Sequence, residues 1–199
     1  MNNLGKAVEV IKQGGIVIFP TDTAFGIGCR IDDEKAVERL FKIRKRPVTQ
    51  PTPVLFDSTE RVKEYVFPFG AQGKPFGRDV EQLMNRYWPG ALTIVLKCQT
   101  SKVPVLVRGG GDALGVRIPD NRIVWQLIKG VSVPILGPSA NFHGGKTPYD
   151  FKALDKELIK LVDFVLEGNT KGRHVPSTVV DCSKKPWKII RQGKVMLDL

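Results

Sequence analysis

The stretch Ile16-Val17-Ile18-Phe19-Pro20-Thr21-Asp22-Thr23-Ala24-Phe25-Gly26-Ile27-Gly28 decides how this 199-residue chain reads. Residues 16–19 are an apolar run of the length of a short buried strand. They lead straight into hydroxyls, a carboxylate and glycines. A similar change from apolar run to polar loop occurs at Arg44-Lys45-Arg46-Pro47. It recurs at Gly137-Pro138-Ser139-Ala140-Asn141, just after an apolar run at 133–136. In α/β proteins such loops gather at one edge of a sheet, where ligands sit. Hydroxyls, backbone amides and arginines together suit a phosphorylated or carboxylated small molecule.

Outward from this stretch, residues 4–13 predict a helix with Leu4, Ala7, Val8 and Ile11 on one face, ended by Gly14-Gly15. Asp32 or Asp33 can cap a second helix, whose stripe is Ala36, Val37, Leu40, Phe41 and Ile43 and which Pro47 stops. Residues 53–56 are strand-like. Asp57 and Glu60 read as a capping box for a helix reaching Val66. Loops are expected at 68–77 and, mobile and rich in glycine, at 100–112. Helices are expected at 78–87, 121–129 and 151–162, and strands at 91–96, 114–118, 133–136, 163–166, 177–181 and 187–191. Alternation gives way to clustered strands at the end. That order predicts an α/β protein with a twisted mixed sheet and flanking helices, not a doubly wound one.

The 42% hydrophobic content is ordinary for a globule with a buried core. No apolar run approaches the ~20 residues of a membrane span, and residues 1–6 lack the features of a signal peptide. Cys29, Cys98 and Cys182 are odd in number and widely spaced, which predicts neither a disulfide framework nor a zinc site. His143 and His174 show no metal-ligand spacing. A cytoplasmic protein with reduced thiols is expected. The net charge of +11 predicts attraction to polyanions, such as ATP or RNA, and equally serves solubility.

The segments quoted above resemble the YrdC-type family of threonylcarbamoyl-AMP synthases. The likeness continues through Trp88-Pro89-Gly90, Val116-Arg117-Ile118-Pro119, Ser177-Thr178-Val179-Val180-Asp181 and Ile190-Arg191-Gln192-Gly193. It covers nearly the whole chain in the family's order and looks like the single-domain form, residues 1–199. The resemblance implies a reaction in which L-threonine, bicarbonate and ATP give threonylcarbamoyl-AMP and pyrophosphate. The product serves modification of tRNA adenosine 37. Magnesium would arrive with ATP, and other tRNA-modifying proteins would be partners, with RNA contact open.

The resemblance also implies roles. Arg44 and Arg46 match the family's Lys-x-Arg pair as catalytic cations, with arginine where lysine is usual. Arg46, Gln50, Ser139, Asn141, Thr147 and Arg191 would bind ATP. Thr23, Arg117 and Ser177 would bind threonine. Read alone, Arg44 and Arg46 could merely offset a helix dipole, Ser139-Ala140-Asn141 is an ordinary turn, and Arg117 could face solvent. Gly144-Gly145-Lys146-Thr147 imitates the end of a phosphate-binding loop, but Ala140 stands where that pattern needs its first glycine. Asp22 is the nearest candidate base and reads better as a brace for its loop. Leu55, Gln50 and Pro176 depart from the family's usual residues. Two rivals stay open. One is an RNA-binding module. The other is a related enzyme of carbamoyl-adenylate or nucleotide-hydrolysing type that does not use threonine.

Overall fold

The computed structural model describes residues 2–66, 77–171 and 174–198. The loop expected at 68–77 lies outside them except for Gly77. Helix α1 (Asn3–Lys12) is capped by Asn2, whose side chain accepts from Gly5 N. It ends where Gly14 takes a positive φ. Strand β1 (Val17–Pro20) then pairs antiparallel with β2 (Phe25–Gly28), a strand the sequence reading did not separate from its loop. Helix α2 (Glu34–Arg44) starts on Asp33, which accepts from Ala36 N, and stops at Lys45 in a left-handed conformation.

Next come β3 (Val54–Leu55), α3 (Thr59–Lys63), α4 (Arg78–Tyr87), β4 (Leu92–Lys97), β5 (Ala113–Arg117), α5 (Arg122–Val131) and β6 (Ile135–Leu136). Then α6 (Lys156–Leu161), β7 (Phe164–Val165), β8 (Thr178–Asp181) and β9 (Lys188–Arg191) complete the described elements. The mixed α/β class is as expected, but the expected single sheet is two. One has the order β2-β1-β7, the other β6-β3-β5-β4-β8-β9, and both mix parallel and antiparallel pairs.

Gly28 lets the sheets meet, and Gly137 lets the end of β6 pack on β3 within the six-stranded sheet. A Cβ on Gly28 would stand 1.9 Å from the Leu136 carbonyl oxygen, and one on Gly137 would stand 2.3 Å from Leu55 Cδ1. Backbone bonds cross the seam there, from Leu136 N to Cys29 O at 2.9 Å, Ile27 N to Pro138 O at 2.9 Å and Ala140 N to Phe25 O at 2.8 Å. The core forms two clusters, each drawing on both sheets: Ile18, Phe25 and Ile27 join the larger one, Leu55 and Ile135 the smaller. A large cluster lies against β3, β4, β5 and β8, and a smaller one joins α1 and α5 to β1 through Ala7, Ile11, Val17, Phe19, Leu127 and Ile128.

Four local expectations are corrected. Ser58, not Asp57, caps α3 by accepting from Arg61 N, and Asp57 instead lies 3.3 Å from Arg61 Nε. The helix expected at 151–162 is a 3₁₀ turn, Phe151–Ala153, then α6, because Asp155 caps the second piece. The strand expected at 133–136 is reduced to β6. Residues 100–112 are a set of hydrogen-bonded turns rather than a loose loop, with Val103 and Val107 buried and Val107 O accepting from Thr52 N.

Candidate active site

The six-stranded sheet has two unlike faces. Val54, Leu92, Ile94, Leu96, Leu114, Val116 and Val180 point into the large core cluster. The residues between them, Leu55, Thr93, Val95, Gly115, Arg117, Val179 and Asp181, floor a cavity of about 630 Å³. This is the period-two alternation of a sheet whose second face serves a ligand instead of solvent. The cavity lies between the two sheets. Its walls come from the turn after β1, the end of α2, the loop before β3, residues 137–139, Thr147 and β9. Five arginines line it, at 44, 46, 108, 117 and 191, against the carboxylates of Asp112 and Asp181.

The end of α2 supplies the first cation pair. Arg44 is 3% exposed, and its Nε donates to Asn141 O at 3.1 Å. Its Nη1 is buried and has no hydrogen-bond partner among the described residues. Burial, and then the positive charge of Arg46, push its pKa down to about 10. Arg46 follows one residue beyond the left-handed Lys45. Its Nε donates to Gln50 O at 3.1 Å and its Nη2 to Pro51 O. Burial lowers its pKa as well. Both side chains therefore reach one cavity, as the spacing anticipates. An unpaired buried donor is costly, so a partner that arrives with the ligand is the direct physical account of Arg44.

A second group of polar side chains surrounds Arg117. Its Nη2 lies 2.6 Å from Asp22 Oδ1, its Nη1 donates to Thr23 Oγ1 at 3.1 Å and its Nε to Gly90 O at 2.9 Å. The ion pair is buried at both ends. Arg117 thus faces the cavity with an internal counter-ion, and Asp22 braces it. Thr21 orders the same turn by donating to Ala24 O at 2.7 Å and accepting from Thr23 N at 3.1 Å. Opposite, Arg191 donates to Ser177 O and Ser177 Oγ, both at 3.0 Å, and Ser177 Oγ lies 3.2 Å from Thr93 Oγ1. Arg191, assigned to the nucleotide by resemblance, is bonded to Ser177, which was assigned to threonine.

The remaining expected residues divide. Gln50, Ser139 and Thr147 line the cavity. Asn141 does not. Its Nδ2 donates to Phe142 O at 2.7 Å and Gly145 O at 2.9 Å, which folds the loop back on itself. His143 N in turn donates to Arg44 O at 2.7 Å. Asn141 and Arg44 so tie the loop before Thr147 to the end of α2. Sequence reasoning missed Thr93, Arg108, Asp112 and Asp181 as cavity residues. A polar residue inside the apolar run 91–96 was the signal for Thr93. Asp181 sat inside a segment already quoted. Arg108 had no such signal, since its turn is made by bonds to Val103 O and Gly111 O.

Comparison with known proteins adds to this geometry. A family model named Sua5/YciO/YrdC, described as telomere recombination, matches residues 9–193. The threonylcarbamoyl-AMP synthase of Pyrococcus abyssi is 32% identical over 192 residues, covering 96% of this chain and 54% of the relative. The chain thus spans about half the length of that relative. The Vibrio cholerae serotype O1 protein of the same name is 30% identical over 193 residues, covering 97% and 98%. The uncharacterized protein YciO of Escherichia coli is 29% identical over 192 residues, covering 96% and 88%. The structure of P. abyssi Sua5 complexed with L-threonine matches with a TM-score of 0.84 at 31% identity, covering 96% of this chain and 54% of that one. E. coli YciO matches with a TM-score of 0.81 at 27% identity, covering 96% and 88%. The family match begins inside α1 and ends just past β9, so it takes in every wall of the cavity, and the chain belongs to the Sua5/YciO/YrdC family.

Proposed function

We propose that this chain forms L-threonylcarbamoyl-AMP and pyrophosphate from L-threonine, bicarbonate and ATP, for modification of tRNA adenosine 37. Arg44 carries the reading. It is a buried guanidinium with an unpartnered Nη1, set in the wall of an open cavity beside a second cation. Phosphate oxygens suit that arrangement. Relatives named for this reaction, and a threonine complex of one of them, support the substrates.

The chemistry has two steps. The neutral threonine amine attacks the bicarbonate carbon, and the hydroxyl leaves as water with an amine proton. A carbamate oxygen then attacks the α-phosphorus, and the bond to the bridging oxygen breaks to release pyrophosphate. Arg44 and Arg46 would hold the charge that moves onto the pyrophosphate. Ser139, Thr147 and Gln50 would orient phosphate oxygens, and Arg117, Thr23 and Ser177 the amino acid. Preorganised donors of this kind are each worth about 10²–10³ in rate. Magnesium would come with the triphosphate, held by phosphates and water. Among the described residues no cluster of three His, Cys, Asp or Glu forms a cage for it. The +11 charge supports contact with tRNA or its modifying proteins.

A second reading keeps the adenylate chemistry without threonine. Leu55 stands directly opposite Arg117 in the β3–β5 ladder and puts an apolar wall beside the carboxylate site. Pyrophosphate release measured with bicarbonate and a panel of amino acids separates the two. The proposal expects release only with threonine present. Release that is indifferent to the amino acid sinks it.

A further inference from the structure

Arg46 is held by a loop that is itself exposed. Its Nε donates to Gln50 O at 3.1 Å and its Nη2 to Pro51 O, so the guanidinium takes its direction from two backbone carbonyls. Residues 47–51 are all exposed, and within the loop Gln50 N donates to Pro47 O at 3.0 Å. The turns before β5 meet this loop from outside. A Cβ on Gly109 would stand 2.6 Å from Thr49 O and 2.9 Å from both Pro51 N and Pro51 Cδ. One step further along, Thr52 N donates to Val107 O at 3.0 Å. The turns are built to act as a stop. Val103 and Val107 root them in the core. Gly109 N donates to Leu106 O and Gly110 N to Val105 O, both at 3.1 Å, and the Arg108 side chain ties Val103 O to Gly111 O. Gly109 and Gly110 both have positive φ, 60° and 83°, yet their surroundings differ. Among the described residues, a Cβ on Gly110 would meet nothing within 4 Å.

We propose that Gly109 is a positioning residue for Arg46, a proposal that rests on the reading of Arg46 as a phosphate-binding cation. The bare backbone at 109 lets residues 49–51 seat on the turns. That seat sets where the carbonyls of Gln50 and Pro51 stand, and so where the guanidinium points. A left-handed backbone calls for glycine at 109 and 110 alike. Only at 109 does a close contact add a second reason. A methyl group there would press on backbone atoms of the loop, not on the free end of a side chain, so the displacement passes to the carbonyls that hold Arg46. Misplacing a functional group by about 1 Å can cost about a hundredfold.

The neighbouring glycine supplies the control. Gly110→Ala strains the backbone alone, whereas Gly109→Ala strains it and pushes the loop. Calorimetric titration with pyrophosphate should find Gly110→Ala within about twofold of the wild type and Gly109→Ala at least about tenfold weaker. In an Arg46→Ala background, Gly109→Ala should add less than about twofold, because its effect travels through Arg46. Without ligand, the ¹H–¹⁵N cross-peak of Arg46 Nε–H should move in Gly109→Ala and stay in place in Gly110→Ala. Gly109→Asn, whose side chain tolerates a left-handed backbone, serves if the alanine variant fails to fold. Equal losses in the two alanine variants overturn the proposal, as does an unmoved Arg46 cross-peak. So does a Gly109→Ala loss that persists undiminished in the Arg46→Ala background, which would mean that the turns support the site at large. A wild type that binds no pyrophosphate, with the cross-peak moved by Gly109→Ala alone, leaves the positioning role standing and removes the phosphate reading.

Discussion

Arg44→Met separates a ligand-binding cation from a structural one by the sign of its effect. Holding Arg44 charged where burial pulls its pKa down to about 10 costs on the order of 3 kcal/mol, at about 1.4 kcal/mol for each tenfold. Against that stands the bond from Nε to Asn141 O at 3.1 Å, charge-assisted and worth about 1.5–3 kcal/mol. Methionine keeps most of the stem and removes both terms. The empty variant should therefore be as stable as the wild type or up to about 1.5 kcal/mol more so, by the same two magnitudes. Pyrophosphate reverses the order. At one hundred times its dissociation constant it stabilises the wild type by about 2.7 kcal/mol, and the variant should gain much less. Urea unfolding with and without pyrophosphate gives all four numbers. An empty variant weakened by more than about 2 kcal/mol, with undiminished pyrophosphate stabilisation, would make Arg44 a structural clasp and refute the reasoning.

Other outcomes follow from the same contacts. Arg117→Met strands Asp22 as a buried charge and should cost about 3–5 kcal/mol in a urea melt. A cost below about 1 kcal/mol would contradict the burial of that pair. Asn141→Ala frees Phe142 O and Gly145 O and loosens the loop that carries Thr147, so KM for ATP should rise with little change in KM for threonine. Equal rises would show a general loss of the fold. The hydrogen bond and charge of Arg39 hold Asp163 below its ordinary pKa. Its contribution is therefore complete above about pH 4 and is lost as pH falls through the depressed value, so Asp163→Asn should flatten stability between about pH 5 and pH 2. The three cysteines are buried, and desolvation raises every thiol pKa, Cys182 to about 12. Thiol labelling should be slow in the native protein and fast in denaturant.

The sequence reading found most of the elements because their signals are local. A capped helix, an apolar run and a following polar loop can each be seen within about ten residues. The losses were contextual. Strand β2 carries Gly26 and Gly28, and glycine has weak strand preference, so only its pairing with β1 and the approach of Leu136 identify it. The division into two sheets hangs on that same approach. Asp57 and Ser58 compete for one cap a residue apart, which composition alone does not decide. At the site, Arg44, Arg46, Arg117 and Ser177 were identified by resemblance to the family, since read alone the first two could offset a helix dipole and Arg117 could face solvent. Asn141 was legible as a residue but not as a tie, because its partners depend on how the loop 141–145 closes. The Asp22–Arg117 pair joins positions far apart in the chain, and no spacing foretells it.

The central claim is that one cavity joins threonine, bicarbonate and the α-phosphate of ATP. The most direct measurement incubates the protein with ¹⁴C-bicarbonate, α-³²P-ATP, magnesium and L-threonine and isolates the adenylate. The account predicts one product carrying both labels in equal amounts. Its formation should stop when threonine or bicarbonate is left out, and should fall at least about a hundredfold in Arg46→Ala. Labelled AMP without carbon label, formed equally well without threonine, would contradict it.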